Sequence, residues 1–428
     1  MTKTKILFCG DSITYQTGLA YVISNFMLAF DSKFYEFGYS VFTGKDFTNQ
    51  DEMKLLGDEF YKKFKNIKVF NSQNISGNKE NTFEHAIETF RPNIVISLLD
   101  PWNCEQIAYS KHKSSFFWVS YTPLETPEYP DLVMFPSKFN NSIRKSLKKI
   151  LNKADLCIPV TTMGFDILKK YECTSVSENI FHGLDFSKKS NSPLSKKAVL
   201  GEKVSENDFV FFTMGKNNER KKIDKVLEAF LEFLKQVDYD TKYKLYVHTH
   251  IDELCGGTDL VNFLNEHKLK EYLLFPSSFL KGQFLSLEEL YKRYEVSDCY
   301  ISLPGGEGFG YGFAEAMMHK KPCVYLDYGG HATYLKNIGY PVRVSDTFSA
   351  RNIQMIWALP DISDAVTQML SVVNNYEEAK ERGELGYDFA KNNFDWKILR
   401  TKFRKVVEAN FKNFEADKLS KLNFKRIV

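Results

Sequence analysis

The chain has 428 residues, too many for one compact domain and enough for two of about 200 each. A net charge of +3 with 26% charged residues, acids and bases interspersed, leaves no basic stripe for nucleic acid. Seven cysteines without a Cys-x-x-Cys pair fit buried thiols in a reduced, cytoplasmic protein. There is no apolar run of about 18 residues to cross a membrane, and no signal sequence is expected ahead of the first strand.

The first half alternates apolar strands, Lys5–Cys9, Asn93–Leu99, Ser115–Ser120 and Leu156–Pro159, with helices such as Ala20–Phe30 and Glu52–Phe64. This alternation predicts a parallel sheet in an α/β domain. Behind the first strand, Phe8-Cys-Gly-Asp-Ser-Ile-Thr14 resembles the nucleophile block of GDSL-type ester hydrolases, with Ser12 as the attacking group. Such an enzyme needs a base for the serine and an oxyanion segment. Neither the Asp-x-x-His nor the Gly-x-Asn-Asp of that family occurs in this chain. After the strand that ends at Leu99, Asp100 and Trp102 stand at a carboxyl edge, where they could orient an acceptor or simply cap and pack a turn. Ile180-Phe-His-Gly-Leu-Asp185 and the Ser/Lys/Asn-rich run to Lys197 read as a linker.

The second half repeats the scheme, with strands at 209–214, 243–249, 299–303 and 323–326. Between the strand Phe209–Met214 and an amphipathic helix at Ile223–Gln236 lies Lys216-Asn-Asn-Glu-Arg-Lys-Lys222, four cations on one βα loop. Such a loop is either a solvated basic turn or, since its charges repel one another without an anion to neutralise them, the place where a diphosphate would lie. Asp238-Tyr-Asp240 reads as a solvated turn. His248 and His250 share a strand face without a third ligand at fixed spacing, so no metal site is expected.

Further on, the string from Ser302 to Pro322 places Gly305, Gly306, Gly308 and Gly310 between a strand and a helix expected over Phe313–His319, with Glu307 and Glu315 eight positions apart. Taken alone, such glycines make a tight connection and such glutamates are solvated. At the carboxyl end of a parallel strand, however, the loop exposes N–H groups at a helix N-terminus, suited to phosphate and sugar oxygens.

This whole string, followed by Pro322 and Asp327-Tyr-Gly-Gly-His331, resembles the Glu-x7-Glu signature of the retaining glycosyltransferases of family 4. The resemblance implies a GT-B fold: two Rossmann-like domains facing each other across a cleft, with a C-terminal helix crossing back to the first domain. The expected boundaries are an N-terminal acceptor-side domain at 1–185, a linker at 186–205, a nucleotide-sugar domain at 206–392 and returning helices at 393–428. It also implies a metal-independent, retaining transfer from a nucleoside-diphosphate sugar to an acceptor hydroxyl, without a cofactor. In that scheme Lys216, Arg220 and Lys221 hold the diphosphate, although Lys216 stands where the family usually has arginine. Glu307, with Gly308, Phe309 and Gly310, meets the sugar, Glu315 meets the ribose, and Gly18 brings main chain towards the diphosphate. Catalysis falls to Glu307 and Lys221. Many members place a histidine after the strand equivalent to Phe116–Ser120, whereas this chain continues Tyr121-Thr-Pro-Leu-Glu125. The acceptor (glycan, lipid, protein or modified nucleic acid) stays open, as does peripheral contact with a membrane. The alternatives are a non-catalytic sugar-nucleotide or glycan-binding protein on the same fold, and the Ser12 hydrolase.

Overall fold

A computed structural model describes residues 2–14, 17–43, 53–54, 56–71, 82–129, 146–188, 194–249, 257–276, 285–350 and 355–427. The chain forms two compact units. The first comprises Met1–Leu124, Tyr129–Gly183 and Trp396–Val428, and the second Glu125–Glu128 and Leu184–Asp395.

The first unit is built on six parallel strands, β1 (Thr4–Asp11), β2 (Tyr35–Thr43), β3 (Lys68–Phe70), β4 (Ile94–Leu98), β5 (Phe117–Thr122) and β6 (Leu156–Pro159). Their order is β3-β2-β1-β4-β5-β6. The central strands are apolar at successive positions, because helices cover both faces of a parallel sheet and leave no wet side for alternating polar residues; every residue of β4 and β5 is buried. Thr17 caps the helix Gly18–Leu28, its Oγ1 accepting the Ala20 N–H at 3.2 Å.

In the second unit, β7 (Phe209–Met214), β8 (Tyr243–His248), β9 (Leu273–Leu274), β10 (Cys299–Ser302), β11 (Cys323–Leu326) and β12 (Tyr340–Val342) make another parallel sheet. The order β12-β11-β10-β7-β8-β9 reverses direction between β10 and β7. A crevice opens at the carboxyl ends of strands where the winding reverses, so the loops after β7 and β10 are brought together by topology. The helix Ile223–Gln236 turns Val226, Phe230 and Phe233 into a core shared with Phe211 and Leu245. An antiparallel hairpin, β13 (Val344–Ser349) and β14 (Ile356–Pro360), is added beside this sheet.

Several elements differ from the sequence expectations. The helix expected from Glu52 is described over Asp58–Phe64; Glu52 itself lies outside the described residues, as does His250. Within the stretch read as linker, Lys196–Leu200 is a helix of the second unit. Ser195 accepts the Ala198 N–H, and the Lys196 ammonium reaches Asp298 at 2.6 Å. Within the returning segment expected at 393–428, a helix begins at Trp396 and runs to Ile427.

That last helix belongs to the first unit. Phe403 is fully buried and stacks on Phe26, with ring centroids 3.9 Å apart and planes 12° from parallel. Phe411 and Phe414 lie against Phe117 of β5 at 5.8 and 5.2 Å. Gly183 is a glycine because a Cβ there would sit 2.3 Å from the Trp396 indole. Phe403→Ala should therefore lower the unfolding free energy by about 3–5 kcal/mol, read from urea denaturation of the full chain.

Candidate functional site

The site grows from the two loops at the reversal point of the second sheet. After β7, Asn218 caps a short 3₁₀ turn, Glu219–Lys221, by accepting the Lys221 N–H at 3.0 Å. Lys222 then takes a left-handed conformation (φ +51°) that turns the chain into the helix Ile223–Gln236. After β10, the glycine loop lies directly on that turn. The Gly305 N–H donates to the Arg220 carbonyl at 2.8 Å, and the Arg220 guanidinium donates to the Gly306 carbonyl at 2.7 Å. On its other side the Gly305 carbonyl accepts from Ala358 of the hairpin at 2.9 Å. Gly310 ends the loop at φ +83°, where an L side chain is strained, and the helix Tyr311–Met318 follows.

Glu307 is the centre of the arrangement. Its Oε2 accepts from Arg220 Nη1 at 2.9 Å and from Lys221 Nζ, with the three side chains 15–22% exposed. Burial pushes the Glu307 carboxyl up, but Lys221 and then Arg220 outweigh it and hold the pKa at about 2. Both main-chain polar groups of Glu307 are engaged as well: its N–H donates to the Glu125 carbonyl at 2.8 Å, and its carbonyl accepts the Gly330 N–H at 2.7 Å. A third charged neighbour, the Glu125 carboxylate, approaches Arg220 at 3.5 Å.

The four cations of the loop are thus divided. Arg220 and Lys221 share Glu307. Lys222 is 7% exposed, with its ammonium 4.5 Å from the centre of the Phe348 ring. Lys216 is exposed at the end of β7. Glu307, with Glu125 beside Arg220, supplies negative charge to this turn from within the chain.

Glu315 occupies a different environment. On the helix Tyr311–Met318 it is 6% exposed and accepts the Tyr294 hydroxyl at 2.9 Å. Burial drives its pKa up to about 7, the Tyr294 hydrogen bond pulling the other way. Both ends of the Glu-x7-Glu string act on Tyr300, whose phenol is held protonated by burial, by Glu315 and by Glu307. The same ring accounts for Gly312, where a Cβ would lie 2.0 Å from the Tyr300 hydroxyl. His331 is fully buried, its ring stacked on Phe313 at 4.6 Å and its Nε2 on the Leu326 carbonyl at 3.0 Å; burial holds it neutral, with a pKa of about 4.

The remaining expected residues fall as follows. The Phe309 ring packs against Phe394 and Tyr334, at 5.1 and 5.6 Å, so the aromatic cluster rather than a ligand claims its side chain. Gly308 is buried beside it. Gly18 is exposed at the first turn of its helix. Asp100 and Trp102 are half-buried at the 3₁₀ turn after β4. Ser12 is fully buried, and its hydroxyl pairs with Thr14 at 3.1 Å instead of a histidine. Asp240 is tied to Lys242 at 2.9 Å in its turn. Among the described residues no group of three or more His, Cys, Asp or Glu could hold a metal, and no helix is long and apolar enough to cross a membrane. Sequence reasoning gave no role to Glu125, Tyr294 or His331. For Glu125 the available signal was an acid just past the carboxyl end of a central strand.

Comparison with known proteins agrees with this fold. The fold is GT-B, with two Rossmann-like parallel-sheet domains. It is shared with HepE of Anabaena, solved with UDP and glucose (TM-score 0.67, 14% identity, covering 95% of this chain and 100% of that one). Sucrose-phosphate synthase of Thermosynechococcus elongatus is also similar (TM-score 0.69, 12% identity, 96% and 100% covered), as is a glycosyltransferase of Rickettsia africae (TM-score 0.61, 15% identity, 96% and 100% covered). Residues 197–339, which contain both loops of the site, match the model of the family of glycosyl transferases group 1. A curated relative, uncharacterized protein 356 of Sulfolobus islandicus rod-shaped virus 1, is 24% identical over 225 residues, 46% of this chain and 60% of that protein.

The two carboxylates have opposite acid–base signatures. Glu307 ionises more readily in the fold than in the unfolded chain, so its contribution is present above about pH 4.5 and is lost as pH falls towards about 2. Glu315 ionises less readily, so the fold loses stability as pH rises from about 4.5 through about 7. Relative to the parent, Glu315→Gln should gain up to roughly 3 kcal/mol between about pH 5 and 8. Glu307→Gln should be less stable at neutral pH and converge on the parent in acid. Urea midpoints across pH measure both.

Proposed function

We propose that the protein is a retaining glycosyltransferase that moves a sugar from a nucleoside-diphosphate sugar to an acceptor hydroxyl. The observation that carries this reading is the pair Arg220 and Lys221 meeting Glu307 at the reversal point of the second sheet, inside a group 1 glycosyl transferase segment.

In this reading the donor's diphosphate lies on Arg220 and Lys221, which stabilise the charge that develops as the bond to the anomeric carbon breaks. Glu307, held ionised, accepts hydroxyls of the transferred sugar, with the main chain of Gly308, Phe309 and Gly310 beside it. Glu315 takes the ribose. The acceptor hydroxyl attacks from the face that the phosphate leaves, and a phosphate oxygen receives its proton. The anomeric configuration is then retained, and the chain's own cations do the work for which other enzymes use a metal. Lys216, exposed at the strand end, is left a lesser part. HepE, whose solved structure carries UDP and glucose, supports a nucleotide sugar as donor.

Lys221→Ala and Arg220→Ala should each lower turnover by about a hundredfold or more with the fold retained, as for a lost oxyanion donor. Near-normal turnover in both would remove the phosphate assignment. UDP-, GDP- and ADP-sugars are to be screened by thermal shift, because a donor at about 100 times its dissociation constant adds about 2.7 kcal/mol of stability.

A further inference from the structure

Glu125 is fixed beside this cluster by its own main chain. The segment Glu125–Glu128 counts with the second unit. The Glu125 carbonyl accepts the Glu307 N–H, and Thr126, fully buried, donates its hydroxyl to the Glu128 carbonyl at 2.9 Å. Gly306 must be a glycine here, since its Cβ would lie 2.7 Å from the Thr126 methyl. The result is a carboxylate 22% exposed, with Oε1 3.5 Å from Arg220 Nη1.

The charges then decide its chemistry. Among the described residues, two acids, Glu125 and Glu307, face two cations, Arg220 and Lys221. A diphosphate seated on the same cations adds a negative charge on each phosphate in a spot largely shielded from water. Like charges crowded at such a distance cannot all stay ionised. Glu307 is held in its ionised form by direct contact with both cations, whereas the Glu125 carboxylate approaches Arg220 at the longer distance of 3.5 Å. Burial already raises the Glu125 pKa; Arg220 and Lys221, from the turn after β7, pull it down, and Glu307, from the glycine loop, pushes it up. His331, behind Glu307, is neutral and adds no charge.

We propose that Glu125 is a further donor-binding residue, which takes up a proton as a nucleoside diphosphate settles on Arg220 and Lys221 and, as a neutral carboxyl group, donates a hydrogen bond to a phosphate oxygen. The inference rests on the donor site argued above. One proton passes from solvent to a Glu125 carboxylate oxygen on binding and returns when the nucleotide leaves; no other bond is made or broken. A neutral amide at this position imitates the protonated acid, because its NH₂ can donate the same hydrogen bond.

The test is calorimetric titration of the full chain with UDP, GDP and ADP, in two buffers of different ionisation enthalpy at about pH 8, where the free nucleotides are already deprotonated. The parent should take up about one proton per nucleotide bound, and its affinity should fall by up to about tenfold per pH unit. Glu125→Gln should bind the same nucleotide with no such uptake, with a flat pH profile and with affinity at pH 8 at least equal to the parent's. Equal proton uptake in the two proteins overturns the inference while leaving the donor site standing, and so does loss of binding in a variant whose melting temperature is unchanged. If neither protein binds any of these nucleotides or their sugar conjugates, the nucleotide-sugar reading itself fails, and this inference goes with it.

Discussion

A single carboxylate oxygen, Glu307 Oε2, accepts from two cations of a neighbouring loop, and the local order of the site depends on it. Two cations on adjacent residues, Arg220 and Lys221, repel each other, and a shared anionic partner offsets that repulsion. Glu307 provides that partner, and its own backbone is anchored on both sides, to Glu125 and Gly330. The glycine loop can lie this close because it carries almost no side chains. Where Gly305, Gly306 and Gly310 stand, a Cβ would come within 3.0 Å or less of the Ala358 carbonyl, the Thr126 methyl and the Phe313 ring respectively.

The arrangement also explains why two similar side chains on one short string behave so differently. Glu307 lies in a loop with cations in reach, so ionisation is favoured despite burial. Glu315 is carried by a helix into a setting of Tyr294 and Tyr300, where one phenolic hydrogen bond cannot offset the lost hydration. Sequence spacing alone places both at one sheet edge; tertiary surroundings assign their charge.

Much of the second unit was legible in the residues. The strand Phe209–Met214, the helix Ile223–Gln236 and the strand Cys323–Leu326 have the expected bounds, because each is a continuous apolar or strongly amphipathic run with clear polar flanks. The glycine loop and the acids around it stood out for the same reason. The hairpin Val344–Ser349 and Ile356–Pro360 did not, since the first of these strands is mostly exposed and carries little apolar pattern. The division of the four loop cations could not be read either: a lysine stacked on Phe348 and a lysine paired with Glu307 are adjacent letters, and only the left-handed turn at Lys222 sends them apart. Glu125 escaped notice because its partner Arg220 lies about a hundred positions away in the chain, and its place just past the carboxyl end of a strand was the one local mark it carried.

The helix Trp396–Ile427 belongs to the first unit although it is made after the second. During synthesis on the ribosome, Phe26 and Phe117 emerge hundreds of residues before the phenylalanines that cover them. The sheet of the first unit must therefore wait with an uncovered greasy flank while the entire second unit is translated. Apolar surface left open in this way is aggregation-prone until the helix arrives.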